Sequence, residues 1–213
     1  MKNKINLLFI VSAVLFISTL PFHPYPFSYI IKAIPALVSA IACLFLINRR
    51  SDALLMGTGF LFCMAGDIFL DLNREVFFVQ GLASFLAGHI FFSILFIRKF
   101  NYSLSNTIKA GFVLIYIVSL AFVLIPHLGH LFIPVIAYMC VIGIMGISAA
   151  FFKAKSPIVF IGTSLFVFSD SIIAVSKFLW PFQASLYFII FFYFSALFFI
   201  QFGILKEYED SNT

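Results

Sequence analysis

The chain has 213 residues, of which 63% are hydrophobic and 10% are charged, and its formal net charge is +5. Soluble domains carry about 25% charged residues, so this composition excludes a soluble globular protein and indicates an integral membrane protein. In such a chain an excess of basic residues reflects membrane orientation. We therefore predict that the protein has no nucleic-acid partner.

Eight apolar segments follow one another along the chain, each close to the roughly 20 residues that an α-helix needs to cross a bilayer. We predict membrane spans at 5–21, 28–47, 53–71, 77–97, 110–126, 131–151, 157–177 and 183–205. The segments do not alternate apolar and polar residues, as the strands of a membrane β-barrel would. The sequence therefore predicts an all-α polytopic bundle in which 1–206 form one transmembrane domain and 207–213 form a short polar cytoplasmic tail. The first span is expected to remain as a helix and not to be cleaved as a signal peptide.

The lysine and arginine residues are distributed unequally between the two sides of the membrane. With a cytoplasmic N-terminus, ten of the 13 fall on the inner side and three, Lys32, Arg74 and Lys177, fall on the outer side. This asymmetry predicts that both termini are cytoplasmic. We expect a multi-pass protein of a bacterial inner membrane, although an endoplasmic-reticulum membrane would fit the same pattern.

The segment MAGDIFLDLNRE at 64–75 concentrates charge at the end of the third span. Three of the eight acidic residues of the chain lie here, namely Asp67, Asp71 and Glu75. Asp67 is the deepest of them, and an ionisable group inside a span costs about 2.5–3.5 kcal/mol on insertion scales, which makes it a functional candidate. Asp71, Arg74 and Glu75 are expected to mark the outer membrane interface.

The third and seventh spans resemble each other in the spacing of their polar residues. Gly59, Asp67 and Arg74 have counterparts 103 residues later, and His89 has a counterpart 104 residues later. These counterparts are, in the same order, Gly162, Asp170, Lys177 and Tyr193. The spacing suggests a parallel four-plus-four internal repeat that would place these residues around a common axis, although chance matches in an apolar chain would give the same pattern.

The ionisable residues of the spans are concentrated in their outer halves. Lys32, Asp67, Asp170 and Lys177 lie there, and His89 lies near the middle of the fourth span. A one-sided cluster of acids and bases favours a cavity that opens outward. Simpler explanations are that Lys32 pairs with an aspartate to hold the bundle together, that Lys177 extends to the lipid headgroups, and that His89 is a packing residue.

The segment AGDIFLDLNREVFFVQGLASFLAGHIFF at 65–92 is similar to a signature of the YhhN-type lysoplasmalogenase family. That signature combines a Gly-Asp pair with a histidine about 22 residues after the aspartate, which are Asp67 and His89 here. The segment GTSLFVFSDSIIAVSKF resembles a second family signature and contains Asp170. Further positions that match the family are Lys32 at the start of the second span, Tyr138 in the sixth and Tyr193 in the last.

The resemblance implies that the protein hydrolyses the vinyl-ether bond of lysoplasmalogens to a fatty aldehyde and glycerophosphoethanolamine or glycerophosphocholine. The implied partners are a lysophospholipid substrate and the surrounding membrane lipids, with no cofactor and no metal. The candidate catalytic residues are Asp67, Asp170 and His89. The candidate substrate-binding residues are Lys32, Tyr138, Tyr193 and Lys177.

The chemistry of a vinyl ether explains why two aspartates would be needed. The bond is cleaved when an acid protonates the β-carbon and water attacks the resulting oxocarbenium ion. Two carboxyl groups in one apolar cavity can serve as the proton donor and as the nearby negative charge, as the paired carboxyl groups of glycosidases do. Either Asp67 or Asp170 could be the acid, and His89 could orient or deprotonate the water.

Two other functions fit parts of the sequence. A small proton-coupled transporter would also place ionisable residues inside its spans and contain an internal repeat. A non-catalytic lipid-binding membrane protein would have the same apolar composition. The spans lack paired Gly or Pro interruptions and the polar cluster lies on one side, which favours the enzyme.

Overall fold

A computed structural model describes residues 2–210, which form eight α-helices joined by short loops and 3₁₀ turns. The helices are α1 (Lys2–Thr19), α2 (Ser28–Leu46), α3 (Arg50–Leu72), α4 (Phe78–Arg98), α5 (Leu104–Leu124), α6 (Phe132–Ala150), α7 (Ile158–Phe178) and α8 (Ser185–Asp210). All eight are long and apolar enough to cross a membrane, and the described residues contain no β-strand. The predicted all-α bundle of eight spans is therefore confirmed.

The helix ends differ from the predicted spans by more than four residues at two places. Helix α5 begins at Leu104 and not at 110, because the Ser103 side chain accepts a hydrogen bond from the Asn106 backbone N–H and caps the helix. The polar first turn of α5 resembles a loop in sequence. Helix α8 continues to Asp210, so the predicted tail at 207–213 begins as helix, and 211–213 lie outside the described residues.

Two glycines allow neighbouring helices of the bundle to pack closely. Helix α3 packs on α2 and α4, α7 packs on α8, and the contacts of α4 with α6 and of α2 with α8 connect the two halves. A Cβ atom on Gly88 of α4 would lie 2.9 Å from the Gly59 carbonyl oxygen of α3, and one on Gly162 of α7 would lie 2.8 Å from the Ile200 backbone nitrogen of α8. Glycine thus lets these helix backbones approach closely.

Polar side chains gather at one end of this bundle, where α3 and α7 finish and α2 and α8 begin. Beneath them lies an aromatic core in which the Phe60 and Phe92 rings are 5.0 Å apart and the Phe166 and Tyr193 rings are 5.3 Å apart. The charge distribution predicts that the polar end faces outward. The membrane orientation and the internal repeat remain predictions.

Candidate active site

A cavity of about 460 Å³, which we call the polar chamber, lies at the polar end of the bundle. Helices α2, α3, α4, α7 and α8 line it, together with the loop before α2 and the loop after α3. Its charged and hydroxyl-bearing lining residues include Lys32, Asp67, Asp71, Arg74, Asp170 and Tyr193. The volume is in the range of small-molecule sites, about 300–1,000 Å³.

A narrower cavity of about 50 Å³, which we call the apolar groove, lies next to the polar chamber. It runs among α4, α5, α6 and α7, and its lining includes Phe78, Leu82, Ile117, Leu120, Met139 and Phe178. Four residues line both cavities, namely Leu70, Phe85, Asp170 and Ile173. Asp170 is the ionisable residue among these four, so a carboxyl group lies where the chamber meets the groove.

Asp67 is held from two neighbouring helices. Its side chain is 1% exposed, the Tyr193 hydroxyl of α8 donates a hydrogen bond of 2.6 Å to its Oδ2, and the Lys32 Nζ of α2 lies 3.9 Å from its Oδ1. Lys32 also lies 3.7 Å from Oδ1 of Asp71. The Lys32 ammonium group is therefore shared between two carboxyl groups.

Asp170 ends a chain of hydrogen bonds that begins at His89. The Tyr138 hydroxyl donates to Oδ2 of Asp170, and His89 Nε2 lies 2.9 Å from the Tyr138 oxygen and 3.7 Å from Asp170 Oδ2. Because Tyr138 has only one proton to donate, its oxygen must accept from the His89 Nε2–H. In this tautomer, Nδ1 of the fully buried His89 has no hydrogen-bond partner among residues 2–210.

Each aspartate contacts the helix that follows the other aspartate's helix in the chain. Asp67 of α3 accepts from Tyr193 of α8, whereas Asp170 of α7 lies beside His89 of α4. Helix α2 adds Lys32 to the first site, and α6 adds Tyr138 to the second. This exchange is what a four-plus-four repeat around a common axis would produce.

The sequence as a whole matches a known family. A model of the YhhN family matches residues 27–204, which extend from the loop before α2 into α8. The chain belongs to the YhhN family. This confirms the predicted family, and the match spans every predicted site residue. A comparison with curated proteins and another with solved structures found no match.

In this YhhN-family chain, Asp71 is a buried residue that lines the polar chamber, which the sequence did not predict, and its expected place near the outer membrane interface stays a prediction. Its side chain is 3% exposed, the Ser28 hydroxyl donates to Oδ2 at 2.5 Å, and His23 Nε2 lies 3.0 Å from Oδ1. The loop between α1 and α2 brings His23 over the end of α3. Periodicity does not reveal such a contact, because His23 belongs to no predicted span.

Arg74 also lines the chamber, and its expected place at the outer membrane interface stays a prediction. By contrast, Lys177 lies outside the residues that line the chamber and the groove, and its Nζ is 4.3 Å from the centre of the Phe78 ring. The structure thus brings Lys32, Asp67, Asp170 and Tyr193 to the chamber, Tyr138 to the groove and His89 behind Tyr138. It keeps Lys177 apart from them.

The arrangement suits acid–base chemistry on an amphiphilic molecule. Three carboxyl groups, those of Asp67, Asp71 and Asp170, line the polar chamber, and the apolar groove lies beside it. Asp67 and Asp170 each accept from a tyrosine hydroxyl, which is a charge-assisted hydrogen bond when the carboxyl is ionised. Among residues 2–210, no group of three His, Cys, Asp or Glu side chains is arranged to hold a metal ion.

Proposed function

We propose that this protein is a membrane hydrolase that cleaves the vinyl-ether bond of lysoplasmalogens to a fatty aldehyde and a glycerophospho-headgroup compound. The observation that carries the proposal is the position of Asp170 between the polar chamber and the apolar groove. A lysoplasmalogen with its headgroup in the chamber and its alkenyl chain in the groove would place the vinyl ether at this carboxyl group. Membership of the YhhN family, a lysoplasmalogenase-type family, supports the same activity.

We assign different roles to the two aspartates. The β-carbon of the vinyl ether belongs to the chain, whereas the α-carbon is bonded to the glycerol oxygen. Asp170, on the groove side, is therefore the proton donor to the β-carbon, and Asp67, which lines the chamber, holds the water that attacks the α-carbon. Since Tyr138 donates to Oδ2 of Asp170, Oδ1 is the oxygen that carries the transferred proton.

Two steps complete the reaction with both aspartates restored. Asp170 protonates the β-carbon, water adds to the α-carbon of the oxocarbenium ion, and Asp67 takes the proton that this water loses. The hemiacetal then breaks down when Asp67 returns that proton to the glycerol oxygen and Asp170 removes the proton of the hemiacetal hydroxyl. Water is consumed once, and the products are the aldehyde and the glycerol compound.

The surrounding side chains stabilise the charges that this sequence creates. The Tyr138 hydrogen bond stabilises the Asp170 carboxylate left after proton transfer, and His89 orients the Tyr138 hydroxyl. Lys32 and Tyr193 hold the Asp67 carboxylate toward the chamber. Phe78, Leu82 and the other groove residues exclude water from the alkenyl chain.

The test is aldehyde release from a lysoplasmalogen by the purified full-length chain in detergent. We expect the unmodified protein to release aldehyde, and Asp67→Asn and Asp170→Asn each to lower turnover by about 100- to 10,000-fold, the usual contribution of general acid–base catalysis. The matched control is Asp52→Asn, which alters an equally buried carboxyl group at the opposite end of the bundle. This variant should retain turnover per folded molecule.

Two results would contradict the proposal. Full turnover in a folded Asp170→Asn variant would overturn the assignment of the acid. Absence of aldehyde release by the unmodified protein, combined with gradient-dependent solute uptake in vesicles, would replace the hydrolase with a transporter.

A further inference from the structure

Arg74 is carried by a short loop whose shape is fixed by its own hydrogen bonds. The loop joins α3 to α4, and the Asn73 side-chain oxygen accepts from the backbone N–H groups of Glu75 and Val76, each at 3.0 Å. The Asn73 backbone oxygen accepts from the Phe77 N–H at 2.9 Å. The backbone that carries Arg74 is therefore fixed by local hydrogen bonds, and Arg74 is one of the residues that line the polar chamber.

Each of the other charged groups that line the chamber has a partner in the protein. Lys32 lies within ion-pair distance of both Asp67 and Asp71, and His23 contacts Asp71. Asp170 has His89 and Tyr138 beside it. In the part of the chain that the structure describes, the Arg74 guanidinium has no carboxyl group within ion-pair distance and makes no side-chain hydrogen bond.

The surroundings of Arg74 favour an anion as its partner. Burial lowers the pKa of the guanidinium from its ordinary value, and the charge of Asp71 opposes that change. Arginine remains charged in proteins, so this partly buried cation keeps its attraction for an anion. The planar fork of N–H donors matches a phosphate group and can bind two of its oxygens at once.

We propose that Arg74 binds the phosphate of the lysophospholipid headgroup and is a positioning residue for the vinyl ether. This inference rests on the proposed function of the same cavity. A phosphate bound at the chamber mouth leaves the glycerol backbone to reach inward toward Asp170 and the alkenyl chain to enter the apolar groove. Lys32, which is already shared by two carboxyl groups, is then left to stabilise charge within the chamber.

The test compares Arg74→Ala and Arg74→Lys with the unmodified full-length chain on two substrates. One is a lysoplasmalogen, and the other is a 1-alkenylglycerol, which has the same vinyl ether but no phosphate. For the lysoplasmalogen we expect Arg74→Ala to raise KM by about 10- to 100-fold, the usual effect of a lost hydrogen bond to a charged group, with kcat little changed. The KM of Arg74→Lys should lie between those of Arg74→Ala and the unmodified protein, because lysine keeps the charge but lacks the planar fork of N–H donors. For the 1-alkenylglycerol the three proteins should have the same KM.

The matched control is Arg50→Ala, which removes an exposed arginine at the opposite end of α3. It should leave KM unchanged for both substrates. A KM in Arg74→Ala equal to that of the unmodified protein would overturn the inference. So would an equal rise for the 1-alkenylglycerol, because that result would indicate general damage to the site or interaction of Arg74 with bulk lipid headgroups.

A binding measurement separates this inference from the proposed function. A radiolabelled 1-alkyl lysophospholipid has the phosphate but no vinyl ether, so it can bind without being cleaved. One outcome is that the unmodified protein binds this compound but releases no aldehyde from lysoplasmalogen, and that Arg74→Ala does not bind it. This outcome would support the phosphate site and overturn the hydrolase. Equal binding by both proteins, together with aldehyde release, would support the hydrolase and overturn the role of Arg74.

Discussion

Both ends of the bundle bury carboxyl groups, but Asp67, Asp71 and Asp170 line the polar chamber, whereas Asp52 is enclosed by protein groups. At the end opposite the polar chamber, Asp52 is 2% exposed and accepts a 2.5 Å hydrogen bond from Tyr208. Arg49 Nε and Lys99 Nζ each lie 3.7 Å from its Oδ2, and Ser51 donates to its Oδ1 at 3.3 Å. At the polar chamber, Asp170 is 12% exposed, and its Oδ1 makes no hydrogen bond with the residues that the structure describes.

This difference separates a structural carboxyl group from a candidate catalytic one. Protein groups contact both oxygens of Asp52, and the Lys99 ammonium lies 3.8 Å from the centre of the Tyr208 ring. Burial lowers the pKa of Lys99, whereas the charge of Asp52 opposes that change, so the two groups stabilise each other. Asp52 thus fastens α3 to α4 and α8, whereas Oδ1 of Asp170 has no hydrogen-bond partner among the residues that the structure describes. Burial of an ionisable group in a membrane helix is therefore not sufficient evidence of a reaction site.

The largest effect in this comparison should come from Tyr138, which donates a hydrogen bond to Asp170. We expect Tyr138→Phe to lower kcat by about 10- to 100-fold, because the Asp170 carboxylate loses a charge-assisted hydrogen bond when it gives up its proton. Tyr208→Phe removes the corresponding hydrogen bond to Asp52 and should leave kcat unchanged. Aldehyde release per folded molecule measures both, and equal losses in the two variants would contradict the distinction.

A smaller effect is expected on stability at the Asp52 end. Asp52→Ala leaves the Tyr208 hydroxyl without its acceptor and Lys99 without its carboxylate, which should lower the free energy of unfolding by about 1–3 kcal/mol. Thermal unfolding in detergent followed by circular dichroism measures the change. Turnover by the protein that remains folded should match that of the unmodified chain. A loss of turnover would mean that Asp52 affects the reaction at the polar chamber as well as stability.

The smallest effect is expected in the apolar groove. Leu120→Trp enlarges a groove residue of α5 and should lower kcat/KM by about tenfold for a hexadecenyl substrate, because overpacking excludes part of the chain. A short-chain analogue should be cleaved at nearly the normal rate. The control is Val118→Trp, on a 58% exposed position of the same helix. If both chain lengths are affected equally, the alkenyl chain does not lie in the groove.

The sequence was sufficient for the properties that depend on local composition. The length and hydropathy of each segment determine whether it can cross a bilayer, so the eight spans were predicted closely. Family signatures identified Asp67, Asp170 and His89 because their spacing along the chain is preserved within those signatures. The start of α5 was missed because Ser103 and Asn106 have the composition of a loop, although together they cap a helix.

Only the tertiary structure decided which of these groups meet. Asp71 and Arg74 lie at a helix end, where sequence alone indicates an interface, but the loop that carries His23 encloses Asp71 within the chamber. Tyr138 lies between His89 and Asp170 because α6 packs on α4 and α7, and no spacing along the chain encodes that contact. Hydropathy acts on each segment separately, whereas a cavity is formed by several helices at once. The sequence by itself therefore determined a membrane bundle with buried aspartates, and helix packing determined which aspartate lies between the polar chamber and the apolar groove.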